Sequence, residues 1–260
     1  INNLPYDAYN MNYIYVVEDT LYFKDSERIL HFNLLKLAYQ RATMKQYYDY
    51  LVREELTVKY INFQEKIMFW EKIITNKFKG KKLIIHIIDP TDNLLKQRIL
   101  DSKLNKSNDI VIKWYDHPGF IYKLNELNSY LKKSKATKHY SMYNFYIWSR
   151  KEKDILMDNG KPIGGKYSYD KYNRSVIPGK SLKEYVDKNN IKYPKTMNYD
   201  SEYHKEAIKY VKSKFSRGTH YDTLFEPENL NLYAITHEDS KTHFKRFLKY
   251  KLKYFGEFQD

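Results

Sequence analysis

Leu83-Ile84-Ile85-His86-Ile87-Ile88 and Ile110-Val111-Ile112-Lys113-Trp114, separated by a run with Leu94, Leu95, Ile99 and Leu104 at helical spacing, form the stretch that decides the fold. The first run is β-branched and apolar on both faces except at His86, which predicts a strand covered on both sides. Pro90 opens the predicted helix, and the second run predicts another strand of the same kind. Strand, helix and strand in that order predict parallel strands joined by a right-handed crossover. The alternation continues toward the amino terminus. Tyr13–Val17 (YIYVV) predicts a strand. Residues 26–54 carry Ile29, Phe32, Leu37, Met44, Tyr47, Tyr48 and Leu51 at helical spacing, with Ser26 as the expected N-cap. Val58–Ile61 predicts a further strand. Glu65–Phe78 predicts a helix through Ile67, Met68, Trp70, Ile73 and Ile74, stopped by Gly80. Asp116-His117-Pro118-Gly119 predicts a turn. Residues 1–125 are therefore expected to form a doubly wound α/β domain with a parallel sheet.

The chain then changes character. Residues 126–200 are basic, aromatic and punctuated by Gly160, Pro162, Gly164, Gly165 and Pro178-Gly179. They predict a connector with structured turns, because the stretch is too aromatic for a disordered linker. Residues 201–260 carry two helical runs, Glu202–Phe215 and Ser240–Phe255, the second with Phe244, Phe247, Leu248 and Leu252 on one face. Two helices with no further strand read as the beginning of a helical domain.

Composition bounds the function. The 260 residues include no cysteine, so a disulfide framework, a thiolate zinc site and a cysteine-ligated cluster are excluded within them. No apolar run approaches the ~20 residues of a spanning helix, and no secretion signal precedes the first strand. An intracellular setting, cytoplasmic or nucleoid-associated, is expected. Residue 1 is Ile, which suggests a start within a longer frame. Lys and Arg number 46 against 32 Asp and Glu, a net charge of +14. That balance favours a polyanion, nucleic acid first among them. The abundance of Lys, Asn, Ile and Tyr also fits A/T-rich codons, and both readings stand on charge alone.

Ligands of open α/β sheets sit outside the carboxyl ends of the strands. Those ends carry Glu18 and Asp19, then Asn62, then Asp89. No glycine-rich phosphate loop follows any strand, so a dinucleotide held in the Rossmann manner is not expected. A heteroaromatic ligand hydrogen-bonded to a carboxylate and a solvated, loop-capping strand end are the two readings of Glu18-Asp19. His204, His220, His237 and His243 lack metal-ligand spacing and are expected at the surface. Ser141 lies in no nucleophile elbow. Basic and aromatic residues interleave from Lys132 to Arg174, a pattern that suits base stacking and phosphate tracking on single-stranded or lesion-bearing DNA.

Asp154–Arg174, DILMDNGKPIGGKYSYDKYNR, carries a more specific signal. Leu156, Met157, Gly160, Pro162, Gly164, Gly165, Lys166, Asp170, Asn173 and Arg174 resemble the connector motif of the deoxyribodipyrimidine photolyase-related family, the iron–sulfur bacterial cryptochromes and (6-4) photolyases. Met142 with Phe145-Tyr146, Tyr233–Thr236 and Phe255–Asp260 resemble three further anchors of that family. Ile147-Trp148 stand where the family has Arg-Glu, and Tyr167 stands for its Trp. The resemblance implies a Rossmann-like antenna domain (1–125, first strand missing), an interdomain connector (126–200) and the first helices of a truncated helical domain (201–260). It also implies that Tyr13–Val17 pairs with Val58–Ile61 and Leu83–Ile88 with Ile110–Trp114, with a gap between the pairs. The complete family protein binds FAD, a [4Fe–4S] cluster and a lumazine-type antenna, and uses light to repair pyrimidine dimers in DNA. No cofactor is expected within this chain, which would be inactive alone and completed by a C-terminal half, encoded separately or in frame. Lys166, Asn173 and Arg174 fall on the DNA side of the family fold, and Glu18 beside the antenna. A light-sensing or degenerate relative, and a basic α/β DNA-binding module without a cofactor, are the alternatives.

Overall fold

The computed structural model describes residues 13–28, 31–133, 141–168, 182–190, 195–215 and 226–252. In chain order the elements are β1 (Ile14–Val17), α1 (Thr20–Phe23), α2 (Leu34–Arg53), β2 (Val58–Ile61), α3 (Phe69–Lys77), β3 (Leu83–Ile88), α4 (Asn93–Asp101), α5 (Lys103–Lys106) and β4 (Ile110–Tyr115). They continue with α6 (Leu124–Lys133), α7 (Met142–Glu152), β5 (Met157–Asp158), β6 (Lys161–Pro162), α8 (Leu182–Lys188), α9 (Glu202–Lys214) and α10 (His237–Tyr250). The chain divides into two compact units: residues 1–121 with 196–243, and residues 122–195 with 244–260.

The first unit is mixed α/β. β1 pairs with β2 in parallel, Ile14 opposite Val58, and β3 pairs with β4 in parallel, Leu83 opposite Ile110. Both pairings are those the sequence implied. Among the described residues no ladder joins the two pairs. The inner faces share one apolar cluster with α3, α4 and α5, built on Leu21, Ile61, Trp70, Ile74, Leu95, Ile99 and Leu104. The other face of the β3–β4 pair differs from the two-sided cover that its apolar run predicted: Ile84 and its register partner Val111 are 53% and 55% exposed. A second cluster forms where α2 meets α9. Leu34, Leu37, Ala38 and Ala42 pack there with Ala207, Val211, Phe23, Phe63 and Leu230. α9, read from the sequence as the start of a helical domain, thus packs inside the first unit.

Helix starts moved from their expected places, for α2 and α4 because capping chemistry outranked apolar spacing. α2 begins at Asn33, whose side chain accepts from Lys36 N at 2.7 Å, not at Ser26. Ser26 instead follows Asp25, whose Oδ1 accepts from the backbone N–H groups of Glu27 and Arg28 and so holds an Asx turn. α3 begins at Phe69 rather than Glu65, after Met68 takes a left-handed conformation. α4 is capped by Asp92 rather than opened at Pro90, and Leu104 belongs to the separate α5. Each such side-chain cap contributes about 1 kcal/mol.

In the second unit, α7 starts on a Ser141 cap and leads into the β5–β6 hairpin. Its two-residue loop, Asn159-Gly160, has φ of 47° and 75°. Positive φ at both positions is the tight turn that Asn-Gly favours, because its twist matches that of the paired strands.

Candidate functional site

β1 and β2 end side by side, and their carboxyl ends carry a buried polar cluster. Glu18, the first residue after β1, is fully buried. Its Oε1 accepts from Arg41 Nη1 and Tyr60 Oη, both at 2.6 Å. Its Oε2 accepts from the Phe63 backbone N–H at 2.8 Å and from Tyr210 Oη at 3.3 Å. Arg41 reaches in from α2 and Tyr210 from α9, so one carboxylate ties both helices to the strand ends. Arg41 also grips Glu206 of α9 through Nε and Nη2, and Asn62 Oδ1 through Nη1 at 3.1 Å. Its guanidinium lies 3.4 Å from the Tyr210 ring centroid, and Lys45 Nζ lies 3.8 Å from that of Tyr60.

The electrostatics follow from this packing. Burial works against the Arg41 charge, but Glu206 and Glu18 outweigh it and hold its pKa above the ordinary value. Burial and then Glu18 push Tyr60 upward, and the same two causes push Tyr210 up to about 12. Burial and Arg41 lower Lys45. Glu18 is thus neither a solvated strand end nor an open carboxylate. Both of its oxygens are engaged by protein donors.

Other carboxylates of the first unit are paired as well. Asp19 caps α1 at Leu21 N and accepts from Trp70 Nε1 at 2.7 Å. Asp25 takes a bidentate pair from Arg98 at 2.7 and 2.8 Å and a hydrogen bond from Thr20 Oγ1. Arg28 pairs with Asp92, and Lys96 with Asp89 just past β3. Arg98 holds the Asp25 carboxyl well below the usual carboxylate range. A depressed carboxyl contributes stability that is present above its unfolded pKa near ~4 and is lost as pH falls toward the folded value. Unfolding midpoints in urea are therefore expected to drop below about pH 5 in the wild type, and to drop less in Asp25→Asn. Parallel pH profiles for the two proteins would remove Asp25 as a source of acid lability.

In the second unit the connector motif is built around Arg150, which is 5% exposed. Its Nε donates to Ile155 O at 3.1 Å, its Nη1 to Tyr167 O at 2.9 Å, and its Nη2 to Leu156 O. Those carbonyls bracket the hairpin and the Ile163–Gly165 turn, where Gly164 and Gly165 both have φ of 79°. Tyr122, Tyr130, Phe145 and Trp148 pack as an aromatic group beside it, with Tyr130 and Trp148 centroids 4.6 Å apart. Lys151, Lys161 and Lys166 are exposed around this frame.

Of the residues singled out from the sequence, Glu18 lies in the strand-end cluster and Lys166 just after the glycine turn. Asn173 and Arg174 lie outside the described residues, as does His220. His204, expected at the surface, is 1% exposed, with its ring nitrogens on Ser201 Oγ and Tyr233 O. Among the described residues no group of three His, Cys, Asp or Glu is placed to hold a metal, and no helix is long and apolar enough to cross a membrane. Sequence reading missed Arg41, Glu206 and Arg150. Asn159-Gly160 was a hairpin signal inside the motif.

The fold and these two sites define a mixed α/β protein with short parallel strand pairs and an arginine-clamped, glycine-rich segment. The family model described as deoxyribodipyrimidine photo-lyase-related protein matches residues 6–221, and the chain belongs to that family. It is also similar to the Acanthamoeba polyphaga mimivirus protein named "Uncharacterized protein R852". The two are 45% identical over 181 residues, which is 69% of this chain and 90% of that protein.

Proposed function

We propose that this chain supplies the antenna-type α/β part and the connector of a photolyase-related protein that acts on DNA, as in the iron–sulfur cryptochrome and (6-4) photolyase branch of the family. In this reading the strand pairs belong to a doubly wound sheet, and DNA is the partner, which places the protein in an intracellular compartment. The observation that carries the reading is the connector. The described part of the motif behind the resemblance, residues 154–168, folds into one frame clamped by Arg150, and that frame carries Lys151, Lys161 and Lys166 exposed. Lys166, Asn173 and Arg174 are the proposed DNA contacts.

The implied cofactors differ in how these residues fit them. A four-cysteine [4Fe–4S] cluster does not fit, because the 260 residues contain no cysteine. FAD and the repair chemistry it supplies belong to the family's helical domain, and no step is assigned to this chain. A lumazine-type antenna touching Glu18 directly would have to displace Arg41, Tyr60, Phe63 N–H or Tyr210 from its carboxylate. The proposed role of Glu18 is accordingly to hold Arg41 and Tyr60 at the strand ends. That filled carboxylate favours a second reading, a DNA-binding α/β module without a cofactor. A visible absorption band from bound flavin or lumazine in the purified protein would exclude it.

The test of the DNA reading is the salt dependence of duplex binding by the full chain. Each phosphate contact contributes about 0.9 to the slope of log K against log salt. Lys166→Ala with Arg174→Ala is expected to weaken binding and reduce the slope by about 1.8. Wild-type affinity and slope in the double variant would take the connector off the DNA surface.

A further inference from the structure

At the opposite pole of the β3–β4 pair, where the strands begin, lies a cleft of about 220 Å³ lined by Thr75, Lys79, Lys81, Lys103, Ser107 and Asp109 among others. We propose that this cleft binds the phosphodiester backbone of nucleic acid. The proposal rests on the reading above that DNA is the partner, and adds a contact surface on the first unit, distinct in sequence from the connector.

The local chain builds the charge. α3 ends at Lys77, and Gly80 turns the backbone at φ 75° into β3. A Cβ at Gly80 would meet nothing within 4 Å, so the glycine serves the backbone angle and not a close contact. The turn sets Lys79 and Lys81 on the cleft from one side, and α5 brings Lys103 from another. All three are exposed, and among the described residues none of their ammonium groups forms an ion pair. Lys82 and Lys106 stand exposed in the adjoining sequence.

Lysines near a helix end have an ordinary explanation in the helix dipole. Here that role falls to Lys77, whose ammonium sits 3.3 Å from the Tyr13 ring centroid and does not line the cleft. Lys79 and Lys81 lie beyond the helix, and Lys103 comes from a different element. Three cations face a single lining carboxylate, Asp109, whose backbone N–H is held by Ser107 Oγ. That bond uses the serine oxygen as acceptor and leaves its O–H to donate. Mobile ammonium groups on long stems with a hydroxyl between them suit successive phosphates, which need charge more than a planar fork. The cleft also contains Phe78, an apolar wall against which a sugar or base can lie.

The experiment compares the full-length wild type, a Lys79→Ala/Lys81→Ala/Lys103→Ala variant and the matching Lys→Arg variant. Binding of a labelled DNA duplex is measured between about 50 and 200 mM salt, with circular dichroism to check the fold. The alanine variant is expected to lose about 2–3 from the salt slope, and the arginine variant to keep the wild-type slope. Asp109→Asn is expected to tighten binding. A wild-type slope in the alanine variant overturns the cleft. If the connector variant loses slope while the cleft variant keeps it, the cleft fails and the DNA reading stands. If the cleft variant alone loses slope, the cleft stands and the connector does not. Binding of inorganic pyrophosphate by the wild type, with no duplex binding at any salt, overturns the nucleic-acid assignment.

Discussion

Arg41→Met is expected to destabilise the protein by about 3–5 kcal/mol, read as a lower urea midpoint with an unchanged m-value. The size follows from what the substitution leaves behind. Glu18 is fully buried, and Arg41 is the cation that approaches its carboxylate at 2.6 Å. Without Arg41 the carboxylate keeps only the hydroxyls of Tyr60 and Tyr210 and one backbone N–H. An uncompensated buried charge costs more than the pair contributes, because desolvation is no longer offset. Removing both charges is therefore expected to be milder than removing one. The double variant Arg41→Met with Glu18→Gln should recover part of the loss, and the cycle of four proteins gives the coupling. A single-variant loss below about 1 kcal/mol would show that the Glu18 carboxylate does not depend on Arg41, and the cluster would not be the tie between α2, α9 and the strand ends.

Arg150→Ala is expected to disorder this segment locally, with a loss of about 3–6 kcal/mol from the free energy of opening residues 155–167. Each hydrogen bond from a charged donor contributes about 1.5–3 kcal/mol, and two carbonyls, Ile155 O and Tyr167 O, lose theirs outright while Leu156 O keeps the Ile163 backbone N–H at 2.9 Å. Ile155 O and Tyr167 O lie outside the ladder of β5 and β6, which contain two residues each. Arg150→Lys should be nearly as damaging, because an ammonium cannot span Ile155, Leu156 and Tyr167 as the guanidinium fork does. Amide hydrogen exchange over 155–167 is the readout. Protection equal to wild type in both variants would show that the glycine turn and the hairpin hold themselves.

The contrast between these two arginines and the strands explains what the sequence revealed. Val58–Ile61 and Leu83–Ile88 were legible to the residue, because β-branched and aromatic side chains mark a strand locally, although the two-sided cover expected of Leu83–Ile88 fails at Ile84. The pairing of β1 with β2 and β3 with β4 came from resemblance and not from periodicity, which is silent on which strands meet. Helix starts were misplaced where a polar side chain answered the first turn: Asn33 and Asp92 are single residues, and many residues of their type cap nothing. Arg41 was hidden for a different reason. On a helix with Lys36, Lys45 and Arg53 it reads as one more solvated cation, and its partner Glu206 lies 165 residues away. Only the fold brings the two together. Glu18 was found by its place after a strand, but its burial depended on α9, which the sequence assigned to another domain.

The same separation has a consequence for how the protein is made. The apolar side of α2, with Leu34, Leu37, Ala38 and Ala42, is covered by Ala207 and Val211 of α9 and by Leu230. At ~5–20 residues per second, the ribosome needs roughly 10–30 s to advance from Arg41 to Glu206. During that interval the α2 surface has Phe23 and Phe63 but lacks the cover of α9 and Leu230, while both parallel strand pairs are already available to form. The nascent chain thus passes through a stage with its sheet elements assembled and one helix face waiting, and expression yield should respond to chaperone supply in that window more than to the final stability of the folded protein.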